Sequence, residues 1–245
     1  MLINCDSHLG MLYLCMKYLC LILLIFLLTG TVYSQEIVKR SNHSNSLDET
    51  FTVLKSDRKI KHGEYTAKHN NIVLAKGAYS AGIRSGYWVF YNHKGEAVQS
   101  YNYNKHELIY TDTTDARSLK YSFQDSLREN DTVRYPIKIG CVHYALIPLV
   151  FNQRQLVFNL HSELMNAGSM EFMHVFSINA NGDLVKHEIL ATVNKVKKAF
   201  IVADKSFDDE YKKFVPAQIN HKPVDCKVYM SSTVNTFTTT TIRSF

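Results

Sequence analysis

The apolar positions of this chain change texture along its length, and each texture predicts a different element. From Tyr18 to Tyr33 they run almost without interruption, YLCLILLIFLLTGTVY, behind Lys17 and ahead of Ser34-Gln35. From Gln35 to Glu49, QEIVKRSNHSNSLDE, they thin out among Ser, Asn and charged residues without periodicity. From Lys61 to Tyr103 aromatics and glycines recur together, and beyond Thr132 alternating runs interleave with helical spacings. These textures predict a targeting segment over 1–34, a flexible tether over 35–50, β-hairpins over 51–110, a connector with a strand over 111–154 and a mixed domain over 155–240.

A lone spanning helix needs about 20 apolar residues, whereas the run after Lys17 is 16 long and weakens at Thr29-Gly30-Thr31. Thr31, Val32 and Ser34 stand before Gln35 in the manner of a small-x-small cleavage site. A removed secretory signal is the favoured reading, with Met16 as a second candidate start; a retained inner-membrane anchor is the alternative. Export predicts a periplasmic or secreted protein.

Within the third texture, KHGEY at Lys61–Tyr65 is followed by KGAY at Lys76–Tyr79, and RSGYW at Arg84–Trp88 by YNY at Tyr101–Tyr103. Gly63 to Gly86 and Tyr65 to Trp88 are both 23 residues. A hairpin is marginal alone and buries its aromatic only against the next, so a fixed spacing of Gly-x-aromatic predicts a tandem array. Gly63, Tyr65, Gly86 and Trp88 are its structural motif. Over Ile60–Tyr110, with Gly63, Gly77, Gly82, Gly86 and Gly95 where turns are expected, the chain resembles the MORN-like repeats of the bacterial YwqK type. The resemblance implies a β-hairpin scaffold that accompanies other domains. It leaves Tyr87 and Tyr91 as candidate partner-binding residues on the repeat face.

Further on, Ser118–Arg128 is readable as one short helix, and Val133, Tyr135, Ile137, Ile139 and Cys141 alternate as a strand, with Pro136 at an edge or entry. Leu156, Leu160 and Leu164 predict a helix over Gln155–Asn166. Phe172, His174, Phe176 and Ile178 alternate into Asn179-Ala180-Asn181-Gly182-Asp183, and alternation resumes from Leu184 to Thr192, which predicts a hairpin. Ser206 can cap a second helix with Asp208, Asp209 and Glu210 in its first turn and Phe207, Tyr211 and Phe214 on one face; Pro216 stops it. Val224, Cys226, Val228 and Met230 then share one face of a last strand.

FSINANGDLVKHEIL and FVPAQINHKPVDCKV, within Gln155–Phe237, resemble the hairpin and the ending of the TonB carboxy-terminal domain, with Phe214, Pro216, Lys222 and Pro223 carrying the second motif. The resemblance implies an α+β fold: tandem MORN-like hairpins, then a small antiparallel sheet packed with two helices. Repeats followed by such an ending suit envelope proteins of Bacteroidota. The outward row of the last strand, Asp225, Lys227 and Tyr229, becomes the candidate partner-binding edge, accepting an extended peptide by strand addition.

Charge changes the picture little. The chain has 28 basic and 22 acidic residues; a cleaved leader removes Lys17 and Asp6, leaving 27 and 21, still +6. The basic residues are dispersed, which argues against nucleic acid as a partner. Cys5, Cys15 and Cys20 belong to the leader, so Cys141 and Cys226 remain either as a disulfide or as two buried thiols. Cys141 and His143 lack a positioned acid, His161-x-Glu163 lacks metal-ligand spacing, and the acidic triplet at Asp208 fits a helix start. No metal, cofactor or catalytic pattern is legible. The functional expectation is a non-catalytic, exported protein-interaction module whose partner is an envelope protein or extended peptide. The alternative is a TonB-type energy transducer, which needs a retained anchor and a stiff Pro-rich spacer; the only prolines are Pro136, Pro148, Pro216 and Pro223.

Overall fold

In the computed structural model the described residues are 36–43, 47–146, 169–193, 196–202, 211–235 and 240–241, with Lys17. The rest of the targeting run, the helix expected over Gln155–Asn166 and the first turns of the helix expected from Ser206 lie outside them.

A seven-stranded antiparallel meander comes first: β1 (Glu36–His43), β2 (Leu47–Leu54), β3 (Lys61–His69), β4 (Ile72–Ser80), β5 (Ile83–Tyr91), β6 (Ala97–Asn102) and β7 (Glu107–Thr111), paired in chain order. Its tight turns follow from residue type. Asn70-Asn71 between β3 and β4 and Ala81-Gly82 between β4 and β5 have both central residues at positive φ, the two-residue turn whose twist matches the strands it joins. One face is apolar. Trp88 sits fully buried at its centre, with ring centroids 5.0 Å from Tyr65, 5.3 Å from Tyr79 and 5.6 Å from Tyr103. The 23-residue repeat therefore places its two motif aromatics in direct contact. Gly77 makes room for this: a Cβ there would lie 2.2 Å from the Trp88 indole.

The expected tether is not a coil. Residues 36–43 and 47–54 pair as β1 and β2, in register from Glu36↔Leu54 to His43↔Leu47. Leu47, Phe51 and Val53 alternate inward, and Glu49 is buried among them, where it accepts a hydrogen bond from the Tyr65 hydroxyl and lies 3.7 Å from Lys61 Nζ. An inward-facing acid at an apolar position hides the strand period from a polarity count.

After a 3-10 turn at Thr113–Ser118 come β8 (Leu119–Phe123), β9 (Val133–Arg134), β10 (Ile137–Lys138), α1 (Cys141–Ala145), β11 (Ser169–Ile178), β12 (Leu184–Val193), β13 (Val196–Ile201), β14 (Phe214–Val215), β15 (Ala217–Ile219), β16 (Lys222–Val224), β17 (Cys226–Asn235) and β18 (Thr240–Thr241). The second large sheet runs β13-β12-β11-β17, and β17 pairs on its far side with both β8 and β18. Two small ladders, β10–β14 and β16-β15-β9, connect the layers.

The α+β expectation is overturned: among the described residues strand makes up 62% against 8% helix. The helix readable over Ser118–Arg128 gives way to strand at Leu119–Phe123, and so does the expected end of the helix from Ser206, for identifiable reasons. Leu119 in β8 is buried while Tyr121 and Phe123 are partly so, alternating positions that pack into the apolar cluster of the second sheet beside β17 rather than lining a helix. Phe214, expected on the last helical turn, pairs with Lys138 as part of β14, and Phe214 N donates to Gly182 O at 2.8 Å. That contact is possible because position 182 is glycine at φ +81, where a Cβ would strike Phe214 O at 2.1 Å. Conversely, Cys141, expected in a strand, opens the single α-helix among the described residues after Gly140 and Cys141 both turn at positive φ.

Glu36–Phe245 holds together as one unit. The seam is polar. Gln99 of β6, 2% exposed, donates from Nε2 to Lys138 O at 2.9 Å and accepts from the N–H groups of Gly140 at 2.7 Å and Cys141 at 3.2 Å. Lys138 in turn donates to Tyr211 O at 2.6 Å and Lys213 O at 2.8 Å, and burial holds its ammonium well below the usual lysine value. Arg84 donates to the hydroxyls of Tyr103 at 2.8 Å and Tyr144 at 3.1 Å with its guanidinium 4.5 Å over the Trp88 ring.

Replacing Gly77 with Ala is expected to destabilise the chain by about 1–3 kcal/mol, the usual cost of overpacking. Urea unfolding followed by the fluorescence of Trp88, the one tryptophan, measures this. Wild-type stability in that variant would mean that the indole is not seated on Gly77.

Candidate functional site

A partner-binding edge needs a strand with one unpaired side, and this separates the candidate residues. Asp225, Lys227 and Tyr229 do not lie along an edge. β17 pairs over its whole length with β11, from Ser169↔Asn235 to Ile178↔Cys226, and its other side is occupied by β8 over Cys226–Met230 and by β18 at Thr233 and Val234. Strand addition at β17 is thereby corrected. The connector between the two motifs supplies β8, and a polar connector gave no sign of that. Asp225 is also engaged: its Oδ1 accepts from Ala180 N at 2.7 Å and braces the β11–β12 turn. Lys227 is exposed, and the half-buried Tyr229 hydroxyl is 3.1 Å from Ser122 Oγ.

Tyr87 and Tyr91 stand on β5 of the first sheet, Tyr87 exposed and Tyr91 half-buried. They are not brought near the β17 row by strand pairing. Tyr65 and Trp88 are interior, Gly63 and Gly86 hold positive φ, Phe214 is buried, Pro216 separates β14 from β15, and Lys222 and Pro223 are exposed in β16. No disulfide joins Cys141 and Cys226. The reason is positional: Cys141 belongs to the apolar cluster of the first sheet and Cys226 to that of the second. Burial pushes the Cys226 thiol up to about 11.

Among the described residues, β1 and β13 each end a large sheet in unbroken register with one partner, and β13 is the candidate because it exposes an apolar side chain, Ile201, along that edge. The edge at β7 is broken by a bulge, since Ser100 faces Tyr110 and Tyr101 faces Leu108, which leaves Ile109 over; bulges of this kind blunt an edge. β13 is regular instead. All six residues keep register with β12, from Glu188↔Ile201 to Val193↔Val196. Lys197, Ala199 and Ile201 alternate outward and are exposed, Ile201 to 69%, beside Leu190 at 37%. Ala199 faces Leu190, so the outer row has a small residue between a cation and a branched apolar one.

Beneath this edge, on the opposite face, lies a chain of polar side chains that the sequence reading passed over. His174 of β11, His187 of β12 and Ser232 of β17 are exposed by only 1%, 4% and 2%. His174 Nδ1 is 3.3 Å from His187 Nε2, and His174 Nε2 is 2.9 Å from Ser232 Oγ. The His187 ring stacks on Phe176 at 4.4 Å. Burial lowers both imidazoles, His174 to about 3, with His187 adding to the effect, and His187 to about 4. The order Ser–His–His is that of a nucleophile, base and orienting group, but at this burial the hydroxyl is not presented to a substrate. What the arrangement does is tie three neighbouring strands through neutral rings. The signal was available: His174 stands among Phe172, Phe176 and Ile178 in the inward alternation.

Among the described residues no group of three or more His, Cys, Asp or Glu converges as a metal site. Compared with protein-family models, curated proteins and solved structures, the chain matches none.

Alkylation of the native chain with iodoacetamide, mapped by mass spectrometry, is expected to leave Cys141 and Cys226 unmodified, and addition of denaturant to expose both. Recovery of a linked Cys141–Cys226 peptide under non-reducing digestion would contradict the separation of the two clusters.

Proposed function

We propose that this chain is a non-catalytic, exported interaction module of the cell envelope that receives an extended peptide as an added strand beside β13. The observation that carries the reading is that β13, a terminal strand of its sheet among the described residues, joins unbroken register with β12 to an exposed apolar Ile201 beside Leu190. An incoming strand gains main-chain hydrogen bonds along such an edge, and side chains at alternate positions supply selectivity. The apolar leader before Gln35 supports export to the periplasm or beyond. The repeat sheet serves as the scaffold, its exposed face presenting Tyr87.

The test is peptide selection from a random display library at neutral pH, followed by hydrogen exchange of the full chain with a selected peptide bound. Protection is expected to rise at least tenfold at residues 196–201 and to stay unchanged at 107–111 and 226–230. Ala199→Lys, an exposed substitution that sets a charge where the partner side chain must lie, is expected to weaken binding at least tenfold. Protection confined to the β5 face around Tyr87 would place the interaction on the repeat sheet and defeat this reading.

A further inference from the structure

We infer that His174, His187 and Ser232 form an acid-responsive latch that governs whether the β13 edge stays folded; the inference rests on the proposed role of that edge and adds its regulation. β13 reaches the rest of its sheet only through β12 among the described residues. His187 stands at one end of that attachment, next to the six-residue ladder that Glu188–Val193 makes with β13. Its carbonyl accepts from Val202 N at 2.9 Å, which pins the end of β13, while its imidazole meets His174 on β11, and His174 meets Ser232 on β17. One residue thus holds the edge by its backbone and the sheet by its side chain.

With both rings neutral, one N–H lies between His174 Nδ1 and His187 Nε2, and the outer nitrogen of His174 faces the serine hydroxyl. One added proton leaves that bond intact but places a charge in the interior. A second sets N–H against N–H and breaks the bond. The described side chains sharing this face on β11, β12 and β17, Phe172, Phe176, Ile189, Val228 and Met230 among them, carry no formal charge, and on β13 the backbone register sets Lys198 opposite Ala191, a basic position on the same face. Tyr121 of β8, paired with Val228, is a phenol, Cys226 is a thiol that burial keeps protonated, and the charged residues Glu171, Lys186, Glu188, Lys197 and Lys227 occupy the other face by alternation.

Opening β12 and β13 returns the imidazoles to water, where they take protons at about pH 6.5. Because folding lowers both proton affinities, the closed form binds fewer protons than the open one. The stabilisation is complete above about pH 6.5 and is lost as pH falls from there toward 4, by up to about tenfold in the opening constant per pH unit for each proton taken up. Among the described residues the first sheet holds no buried imidazole pair, so the effect is expected to be local to 187–202.

Hydrogen exchange of the full chain without peptide, at pH 7 and pH 5 and corrected for the intrinsic rate, tests this. Protection over 187–202 is expected to fall at least tenfold relative to 65–102, and the triple variant His174→Leu, His187→Leu, Ser232→Ala to hold that ratio constant. Nitrogen-15 spectra of the wild-type imidazoles guard against misfolding of the variant: both rings are expected neutral at pH 7 and to titrate together with the loss of protection. Equal loss in both sheets, a variant that keeps the wild-type response, or rings that stay neutral while the edge opens would overturn the latch. Absence of peptide binding at pH 7 with the exchange pattern intact would instead remove the edge's proposed role and leave the latch standing.

Discussion

The carboxamide of Gln99 is the contact on which the joining of the layers depends. It is buried at the point where a β-meander meets a segment of a different shape, and that segment begins with two residues at positive φ. Such a bend leaves backbone N–H groups pointing inward with no strand to accept them. Gln99 Oε1 takes two of them and Nε2 satisfies the carbonyl of Lys138. Leaving buried polar groups unmade costs about 1–3 kcal/mol each, so one side chain settles three groups that no regular pairing could reach. Lys138 continues the chain of obligations into Tyr211 and Lys213. Through that relay the repeat sheet is bound to the segment that crosses the β11–β12 turn.

This dependence explains which parts of the fold were legible in the residues. Period-two alternation marked Phe172–Ile178 and Leu184–Thr192, and the spacing of Tyr65 and Trp88 marked hairpins, because in both cases mostly apolar or aromatic side chains face the core. The strands at 36–54 and 119–123 were illegible for the opposite reason. Glu49 is an inward-facing acid satisfied by Tyr65 and Lys61, and the partner of β8 is a strand more than a hundred residues away in the chain. Neither fact has a local signature. Helical spacing at Tyr211 and Phe214 misled because Phe214 is claimed by β10 and by Gly182, contacts that exist only once the chain has closed.

The candidate site turned on the same distinction. Asp225, Lys227 and Tyr229 do alternate, as an outward row should, yet alternation says which way a side chain faces and nothing about what lies beside the strand. Edge status is a property of the sheet, fixed here by β8 and β18 on one flank and β11 on the other. His174 is the converse case: its position in the alternation marked it as inward, and a histidine facing inward between phenylalanines has to find a partner on a neighbouring strand.

Buried polar groups in this chain fall into two kinds. Lys138, Arg84 and Gln99 are fixed by backbone carbonyls, amides and phenols that do not titrate near neutrality; burial raises the Tyr65 and Tyr144 hydroxyls further from it. The partners that hold the seam between the layers thus keep one protonation state near neutrality, while burial lowers the Lys138 ammonium they surround. The second sheet is tied across β11, β12 and β17 by imidazoles, whose ordinary range lies inside that window. Two serviceable ways of satisfying a polar interior thus give the two sheets different responses to acid. The more sensitive one underlies the strand that ends its sheet.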